Sequence, residues 1–360
     1  MKIETVESWR ETVPLSRPYS IANHSFDAVA LFFLRLRADD GSIGLGSASP
    51  AEFVTGESEA ACEAALAPEA LGDLVGRDPR WPTELVRAIG EARAATPAAR
   101  AAIDMALWDL HGRAAGKPVV DLLGRRYQSL PTSVTLGISS VEKTLSEAQE
   151  WVGRGFDHLK IKLGDDLEID LERLARLRER FGQAVRLRVD ANQGYGPEEV
   201  KRLFASATPL DLELIEQPLA RGEDERLGAL TPPPRVPLAA DESLHDARDA
   251  LVQAEEASPY RIFNIKLMKC GGIGPARAIS AVADTAGRDL MWGCMDESRI
   301  SIAAALHVAY ACPRTKYLDL DGSLDLARDP AVGGFEVREG KLVLTGEAGL
   351  GVWLGDGYGG

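Results

Sequence analysis

Long apolar runs, paired cysteines and an excess of positive charge are all missing from this 360-residue sequence. No stretch of 18 or more uninterrupted apolar residues exists, and the richest run, residues 28–34, is too short to cross a bilayer. The first residues alternate polar and apolar, as a strand does, whereas a signal peptide begins with a charged segment followed by an apolar run. We therefore expect neither a membrane span nor a signal peptide.

The few cysteines exclude two further classes of protein. Four are present, far apart and without a Cys-x-x-Cys pair: Cys62, Cys270, Cys294 and Cys312. Such spacing fits neither a disulfide framework nor a zinc site. It predicts reduced thiols in a cytoplasmic protein.

The charge balance is acidic, with 55 Asp and Glu against 41 Lys and Arg and a net charge of −14. This balance argues against nucleic acid or an anionic membrane as a partner and favours small molecules. A hydrophobic content of 45% is enough to bury a sizeable core in one large or two ordinary domains.

The first third of the chain has the pattern of a small α+β unit. Residues 28–37 predict a strand, residues 39–41 a turn and residues 42–47 a glycine-rich return strand. Thr96 is a plausible N-cap for a helix that starts at Pro97 and stops before residues 116–118.

From about residue 132, short β-rich runs alternate with amphipathic helical segments, which indicates parallel βαβ units. Polar residues end several of these runs at intervals of 25 to 28 residues. Eight units of this size close into a barrel whose reactive groups gather at the C-terminal ends of the strands. The predicted strands are residues 132–138, 158–163, 185–190, 210–216, 236–240, 261–266, 290–294 and 316–319. Residues 335–345 predict another hairpin, which we expect to return to the N-terminal unit.

Three consecutive predicted strands end in carboxylates, namely Asp190, Glu216 and Asp241. In a barrel these side chains converge. Three hard oxygen ligands without nearby His or Cys suit Mg²⁺ and leave positions for water and substrate oxygens. The alternative is that the two aspartates cap the following helices and the glutamate is solvated.

Lysines end two strands that lie across the ring from each other. Lys160 and Lys162 point to one side of the second strand, and Lys266 ends the sixth. Ammonium groups close together and near a metal have depressed pKa values, so that a neutral amine can accept a proton. The alternative is that the lysines are structural ion pairs for the acidic cluster.

Metal and lysines together predict removal of a proton next to a carboxylate. The metal, helped by Lys160, stabilises the resulting dianion, an enediolate. With Lys162 and Lys266 on opposite faces, a proton taken from one side can be returned from the other. A racemase or epimerase needs this arrangement.

These motifs resemble the muconate lactonizing enzyme subgroup of the enolase superfamily. The resemblance implies a (β/α)7β modified TIM barrel, residues 126–325, with an α+β capping domain built from residues 1–125 and the C-terminal tail, residues 326–360. It also implies one Mg²⁺ per subunit, with Lys162 acting on the R centre and Lys266 on the S centre. The matching motifs are Lys160-x-Lys162, Asp190-Ala-Asn192, Glu216-Gln-Pro218, Asp241-Glu-Ser243, Lys266, residues 105–110 and residues 122–124.

Within that superfamily the eighth strand resembles dipeptide epimerases. Asp319 and Asp321 match the Asp-x-Asp that binds the α-ammonium of the dipeptide, although a solvated turn is the alternative. Residues 293–298 and Thr135 resemble other substrate-contacting positions. We therefore expect an epimerase that inverts the α-carbon of the C-terminal residue of a dipeptide.

One departure bears on which dipeptide. L-Ala-D/L-Glu epimerases carry an arginine at the position where this chain has His24. They carry an apolar residue at the position where this chain has Asp296. The N-terminal unit adds Glu52 and Glu57. An anionic pocket favours basic or other non-acidic dipeptides, whereas solvated acids around a hydrophobic pocket would not.

Other functions remain open. An N-succinylamino acid racemase, an o-succinylbenzoate synthase and a muconate cycloisomerase share the metal and lysines, but their substrates have no ammonium for Asp319 and Asp321. A barrel that only binds a cation is the alternative outside catalysis. A homo-oligomer is compatible with the sequence.

Overall fold

In a computed structural model the protein is described over residues 1–21, 24–230 and 236–357, without the side chains of residues 89, 91 and 92. Over these ranges no helix combines the length and the apolar character needed to cross a membrane.

The elements follow the order that the sequence predicts. The strands are β1 (Ile3–Ile21), β2 (His24–Ala38), β3 (Ile43–Ala48), β4 (Ser129–Pro131), β5 (Val134–Leu136), β6 (His158–Lys162), β7 (Arg186–Asp190), β8 (Leu212–Glu216), β9 (Leu238–Ala240), β10 (Ile262–Ile265), β11 (Asp289–Trp292), β12 (Thr315–Leu318), β13 (Ala331–Gly333), β14 (Phe335–Arg338), β15 (Lys341–Leu344) and β16 (Val352–Leu354). The α-helices are α1 (Glu52–Thr55), α2 (Glu59–Leu66), α3 (Pro82–Ala92), α4 (Pro97–Ala114), α5 (Val119–Leu123), α6 (Val141–Gly153), α7 (Leu167–Phe181), α8 (Pro197–Ala207), α9 (Asp224–Gly228), α10 (Ala247–Gln253), α11 (Leu267–Cys270), α12 (Ile273–Thr285) and α13 (Arg299–Ala309).

The N-terminal unit is an antiparallel sheet, β1-β2-β3, packed against α4. Glycines in β3 make the close approach possible, because a Cβ at Gly46 would lie 1.9 Å from the carbonyl oxygen of Ala102, and one at Gly44 would lie 2.2 Å from that of Ala106. The glycine-rich return strand is therefore a packing requirement of the helix.

Helix α4 begins at Pro97, as the sequence predicts, but Thr96 does not cap it through its side chain. The buried carboxylate of Glu57 does so instead, accepting hydrogen bonds from the amides of Ala98 at 2.6 Å and Ala99 at 3.1 Å. A carboxylate suits this position because free amides and the helix dipole favour negative charge at a helix N-terminus. Glu57, like Glu52, lines the cavity between this unit and the barrel, but the Glu57 carboxylate is already engaged by the amides of the helix.

An eight-stranded parallel sheet in the order β5 to β12 forms the barrel. Its edges meet where the amide of Ser133 donates to the carbonyl of Leu318 at 3.0 Å. Each predicted strand is present, and its observed ends differ from the predicted ends by at most two residues. The seven connections carry helices in the described residues, and no helix follows β12 before β13, so the predicted (β/α)7β barrel with a separate α+β unit is confirmed.

The C-terminal tail contributes to both units. Its predicted hairpin, β14 and β15, pairs with β4, the strand that precedes the barrel, so the expectation that the hairpin itself returns to the N-terminal unit is wrong. The residues after the hairpin contact the N-terminal helices, where Leu350 donates from its amide to Asp109 Oδ1 at 2.7 Å and Gly349 accepts from the amide of Val119 at 2.9 Å.

Candidate active site

Three buried carboxylates meet at the C-terminal ends of consecutive strands. Asp190 and Glu216 are the last residues of β7 and β8 and are in register, and Asp241 directly follows β9. One ligand oxygen from each lies within 4.8 Å of the others. The structure therefore brings together the three predicted metal ligands.

Lys160 lies at the centre of this acidic group. Its Nζ is 3.1 Å from Asp190 Oδ2, 2.8 Å from Glu216 Oε2 and 2.8 Å from Asp319 Oδ2. Its side chain is almost fully buried. The lysine thus links the predicted metal ligands to one of the predicted substrate-binding acids.

Lys162 and Lys266 lie on opposite sides of the ring, at the ends of β6 and β10, which are four strands apart in the eight-stranded sheet. Lys162 Nζ is 2.7 Å from Asp190 Oδ2, and Lys266 Nζ is 2.7 Å from Asp241 Oδ2. Both line the same cavity. The predicted opposition of two lysines across one site is therefore present.

The expected depression of the lysine pKa values assumed a nearby metal ion, and the protein's own charges act in the opposite direction on two of these groups. Burial lowers the pKa of Lys266, but the Asp241 carboxylate outweighs it and leaves the pKa above its ordinary value. Burial likewise opposes charge on Lys160, yet Asp319 and Glu216 hold its pKa well above the ordinary value. Opposite charges at contact distance dominate over neighbouring ammonium groups here.

The donor set fits a divalent cation. Burial and the nearby Asp190 carboxylate raise the pKa of Glu216 to about 8, so the lysines do not fully compensate the acids. Beside the three carboxylates, Asn192 Oδ1 and Glu242 Oε2 are buried and have no hydrogen-bond partner among the described residues. Hard oxygen donors with spare capacity are what Mg²⁺ requires.

The two aspartates after β12 are both buried but differ in their contacts. Asp319 accepts hydrogen bonds from Ser133 Oγ at 2.6 Å and from Lys160 Nζ at 2.8 Å. Asp321 accepts from the amide of Thr135 at 2.6 Å, and burial together with Asp319 raises its pKa to about 7. Asp319, Asp321 and Thr135 all line the cavity, whereas Ser133 supports Asp319 from behind.

The cavity has a volume of about 340 Å³ and is closed on one side by the N-terminal unit. Asp296, after β11, faces it and accepts a 2.8 Å hydrogen bond on Oδ2 from the hydroxyl of Tyr19. Ser49 Oγ donates to the backbone oxygen of Asp296 at 2.8 Å. Burial raises the pKa of Asp296 to about 6, and the Tyr19 hydrogen bond opposes this rise. Sequence reasoning found Asp296 but missed Tyr19 and Ser49.

Two further acids of the cavity wall were also missed, Asp325 and Glu147. Burial, then Asp321 and Asp296, raise the pKa of Asp325 to about 8. Its backbone oxygen accepts from the amide of Ser16 at 2.6 Å, which ties this segment to β1. The sequence feature that could have identified Asp325 as a cavity residue is its proximity to the Asp-x-Asp motif of Asp319 and Asp321.

His24 has a different environment from the one predicted. Its exposed ring stacks on Phe53 with centroids 4.3 Å apart and lies 6.2 Å from Phe26. Both phenylalanines line the cavity, whereas His24 is not among its lining residues in the described part of the chain. Arg17, on the same hairpin, does line the cavity, but its guanidinium pairs with Glu150.

Known proteins resemble the chain over nearly its whole length. Residues 143–356 match the family model described as "Enolase C-terminal domain-like", and residues 3–124 match "Mandelate racemase / muconate lactonizing enzyme, N-terminal domain". An L-Lys-D/L-Arg epimerase from Methylococcus capsulatus is 52% identical over 98% of this chain and 99% of its own length.

Solved structures of dipeptide epimerases also resemble the chain over nearly its whole length. A dipeptide epimerase from Methylococcus capsulatus complexed with Mg and the dipeptide L-Arg-D-Lys superposes with a TM-score of 0.96 at 52% identity, covering 98% of this chain and 99% of that one. A dipeptide epimerase from Enterococcus faecalis complexed with Mg and L-Leu-L-Tyr gives a TM-score of 0.93 at 34% identity, over 98% and 99% of the two chains. The chain therefore belongs to the mandelate racemase/muconate lactonizing enzyme family of the enolase superfamily.

Proposed function

We propose that the protein is a magnesium-dependent dipeptide epimerase that inverts the α-carbon of the C-terminal residue by a two-base 1,1-proton transfer through an enediolate. The observation that carries the proposal is the opposition of Lys162 and Lys266 across one cavity that is also lined by Asp241, a member of the carboxylate cluster, and by Asp321. The relatives named above support it, because each is called a dipeptide or L-Lys-D/L-Arg epimerase.

Asp190, Glu216 and Asp241 would hold one Mg²⁺ per subunit. The metal supplies electrostatic stabilisation of the substrate carboxylate as a second negative charge develops on it. Lys160, which already contacts two of these ligands, adds a fixed positive charge on the same side.

The two remaining lysines exchange the proton. A neutral amine at Lys162 Nζ takes the α-proton from one face, and the ammonium of Lys266 delivers a proton to the opposite face, which inverts the centre. The reverse reaction uses the same groups with their protonation exchanged. By resemblance, Lys162 serves the R centre and Lys266 the S centre.

Asp321 and Asp319 would orient the dipeptide through its α-ammonium. Asp321 is the better placed, because its carboxylate accepts a hydrogen bond from the Thr135 amide, whereas the Asp319 carboxylate is shared by Ser133 and Lys160. A charge-assisted hydrogen bond to an ammonium fixes which end of the dipeptide reaches the lysines.

Basic dipeptides would be the preferred substrates. Asp296, Asp325 and Glu147 line the cavity, and the Arg17 guanidinium on the same wall is paired with Glu150. A lysyl or arginyl side chain would form charge-assisted pairs with these acids in their ionised form, whereas a glutamyl side chain would meet acids where it needs a cation. The Methylococcus relative, named for L-Lys and L-Arg, supports the same preference.

Functions without a substrate ammonium are less well supported. N-succinylamino acid racemase, o-succinylbenzoate synthase and muconate cycloisomerase activities leave the buried Asp321 without a cationic partner, and a barrel that only binds a cation leaves the opposed lysines without a role.

We also propose the division into residues 1–125, 126–325 and 326–360 and a cytoplasmic location, which the unpaired state of all four cysteines supports.

Mass spectrometry of an L,L-dipeptide library incubated with enzyme and Mg²⁺ in D₂O tests the function. Uptake of one deuterium at the α-carbon of the C-terminal residue is expected, most rapidly for dipeptides of Lys and Arg. Absence of exchange in every dipeptide would refute the proposal.

A further inference from the structure

Lys269 is a fourth lysine near the acidic group, and it is buried on α11, one turn after Lys266. Its Nζ donates to the backbone oxygens of Asp241 at 2.6 Å and Asn264 at 3.1 Å, and it pairs closely with Asp241 Oδ1. An ammonium has three hydrogens to donate, and here it meets three acceptors. All three hydrogens of the Lys269 ammonium therefore have acceptors, which are supplied by Asp241 after β9 and by Asn264 in β10.

Lys266 and Lys269 contact different oxygens of the Asp241 carboxylate. Lys266 Nζ is 2.7 Å from Oδ2 and borders the cavity, whereas Lys269 holds Oδ1 and is not among the described residues that line the cavity. Rotation of the carboxylate about its Cβ–Cγ bond would break the contact with Lys269. The oxygen presented to the cavity is thereby fixed as Oδ2.

Asn264 extends the support to a second carboxylate. Its backbone oxygen accepts from Lys269, and its side-chain amide donates to Glu216 Oε1 at 2.6 Å. Lys269 is thus in contact with one predicted metal ligand and with the residue that orients another.

We infer that Lys269 is a positioning residue for the metal site, which presets Asp241, and Glu216 through Asn264, to bind Mg²⁺. The inference rests on the proposed function, since it assumes that these carboxylates hold the metal. Groups that orient metal ligands commonly contribute about 10- to 100-fold to metal affinity. A lysine that acted only as a counter-charge would have the opposite effect, because an ammonium repels Mg²⁺ and its removal would tighten binding.

Titration calorimetry with Mg²⁺ alone on the Lys269→Met variant separates these roles. We expect the dissociation constant to rise about 10- to 100-fold and the Mg²⁺-induced increase in Tm to shrink. Lys201→Met is the matched control, because Lys201 is partly exposed and pairs with Glu198 on the surface of α8. An affinity equal to or tighter than that of the wild type would overturn the inference.

Lys269→Gln provides a second variant if the methionine variant does not fold. Glutamine reaches one bond less far and offers two hydrogens to three acceptors, so weaker Mg²⁺ binding is expected again, and wild-type affinity overturns the inference. In either Lys269 variant, saturating Mg²⁺ should return kcat close to its wild-type value. The Lys266→Met variant, in contrast, should remain inactive at any Mg²⁺ concentration. A kcat of the Lys269 variants that stays low at saturating Mg²⁺ also overturns a positioning role.

The two proposals fail separately. Mg²⁺ titration needs no dipeptide, so unchanged affinity in the Lys269 variants refutes the positioning role alone. Absence of α-carbon exchange by the wild type refutes the proposed function alone.

Discussion

The hydroxyl of Tyr19 donates a 2.8 Å hydrogen bond to Asp296 Oδ2, although 277 residues separate the two in the sequence. Tyr19 belongs to the N-terminal hairpin and Asp296 to the loop after β11, so the bond joins the two units at the wall of the cavity. It leaves the other carboxylate oxygen of Asp296 available to a ligand and fixes its direction.

Tyr19→Phe is therefore expected to weaken selection of basic dipeptides. Loss of one hydrogen bond to a carboxylate is worth about 1 to 2 kcal/mol, and the ratio of kcat/KM for Arg-Lys to that for Leu-Tyr should fall severalfold, mainly through KM. Tyr127→Phe is the control, since the Tyr127 hydroxyl bonds to the carbonyl of Pro313, away from the cavity. An unchanged ratio in Tyr19→Phe would remove Tyr19 from substrate selection.

Replacing the acids themselves should have a larger effect. In Asp296→Asn a lysyl or arginyl side chain loses a charge-assisted partner, which costs about 1.5 to 3 kcal/mol, or tenfold or more in the same kcat/KM ratio. Asp325→Asn should act in the same direction, and Asp73→Asn, which is exposed on the N-terminal unit, should have no effect. A wild-type enzyme that prefers Ala-Glu to Ala-Lys would contradict the anionic pocket.

Metal removal should abolish exchange. Treatment with a chelator is expected to stop deuterium uptake, and added Mg²⁺ should restore it, because the metal supplies most of the positive charge that stabilises the developing dianion. Asp241→Asn should raise the Mg²⁺ dissociation constant at least about tenfold, by analogy with changes to supporting groups, while circular dichroism shows an intact fold. Full activity in metal-free protein would refute the proposed mechanism.

The sequence predicts the barrel and the convergence of the site residues because polar residues recur at the ends of the predicted strands. Polar residues that recur every 25 to 28 residues at strand ends, such as Asp190 and Glu216, must meet in a closed parallel sheet. Alternation along β6 likewise places Lys160 and Lys162 on one side.

Contacts that depend on packing between distant segments were not predictable. Glu57 caps α4 from outside the helix, and Tyr19 reaches Asp296, without any local pattern that links them. Lys269 looks like an ordinary polar position of a short helix. The raised pKa of Lys266 also required the structure, since it depends on the distance between its ammonium and Asp241.

His307 makes stability depend on pH. Complete burial lowers its pKa from an ordinary value near 6.5 to about 4, and its Nδ1 accepts a 2.9 Å hydrogen bond from the amide of Val120. Because the unfolded state binds the proton more readily, the contribution of the neutral ring is complete above pH 6.5 and is lost as the pH falls towards 4.

The shift corresponds to about 3 kcal/mol in the free energy of unfolding. His307→Asn, which keeps an acceptor near the position of Nδ1 but does not titrate, should show a shallower decline in denaturant midpoint between pH 6.5 and 4 than the wild type. Parallel declines in the two proteins would show that His307 does not titrate as described.

The central claim, that Lys162 and Lys266 act from opposite faces of one substrate, is tested most directly by α-proton exchange in single variants. With Lys266→Ala in D₂O and Mg²⁺, interconversion of the two epimers of a basic dipeptide should stop, while deuterium uptake persists only in the epimer whose proton faces Lys162; Lys162→Ala should show the reverse. Interconversion of both epimers at the wild-type rate in either variant would contradict the two-base mechanism.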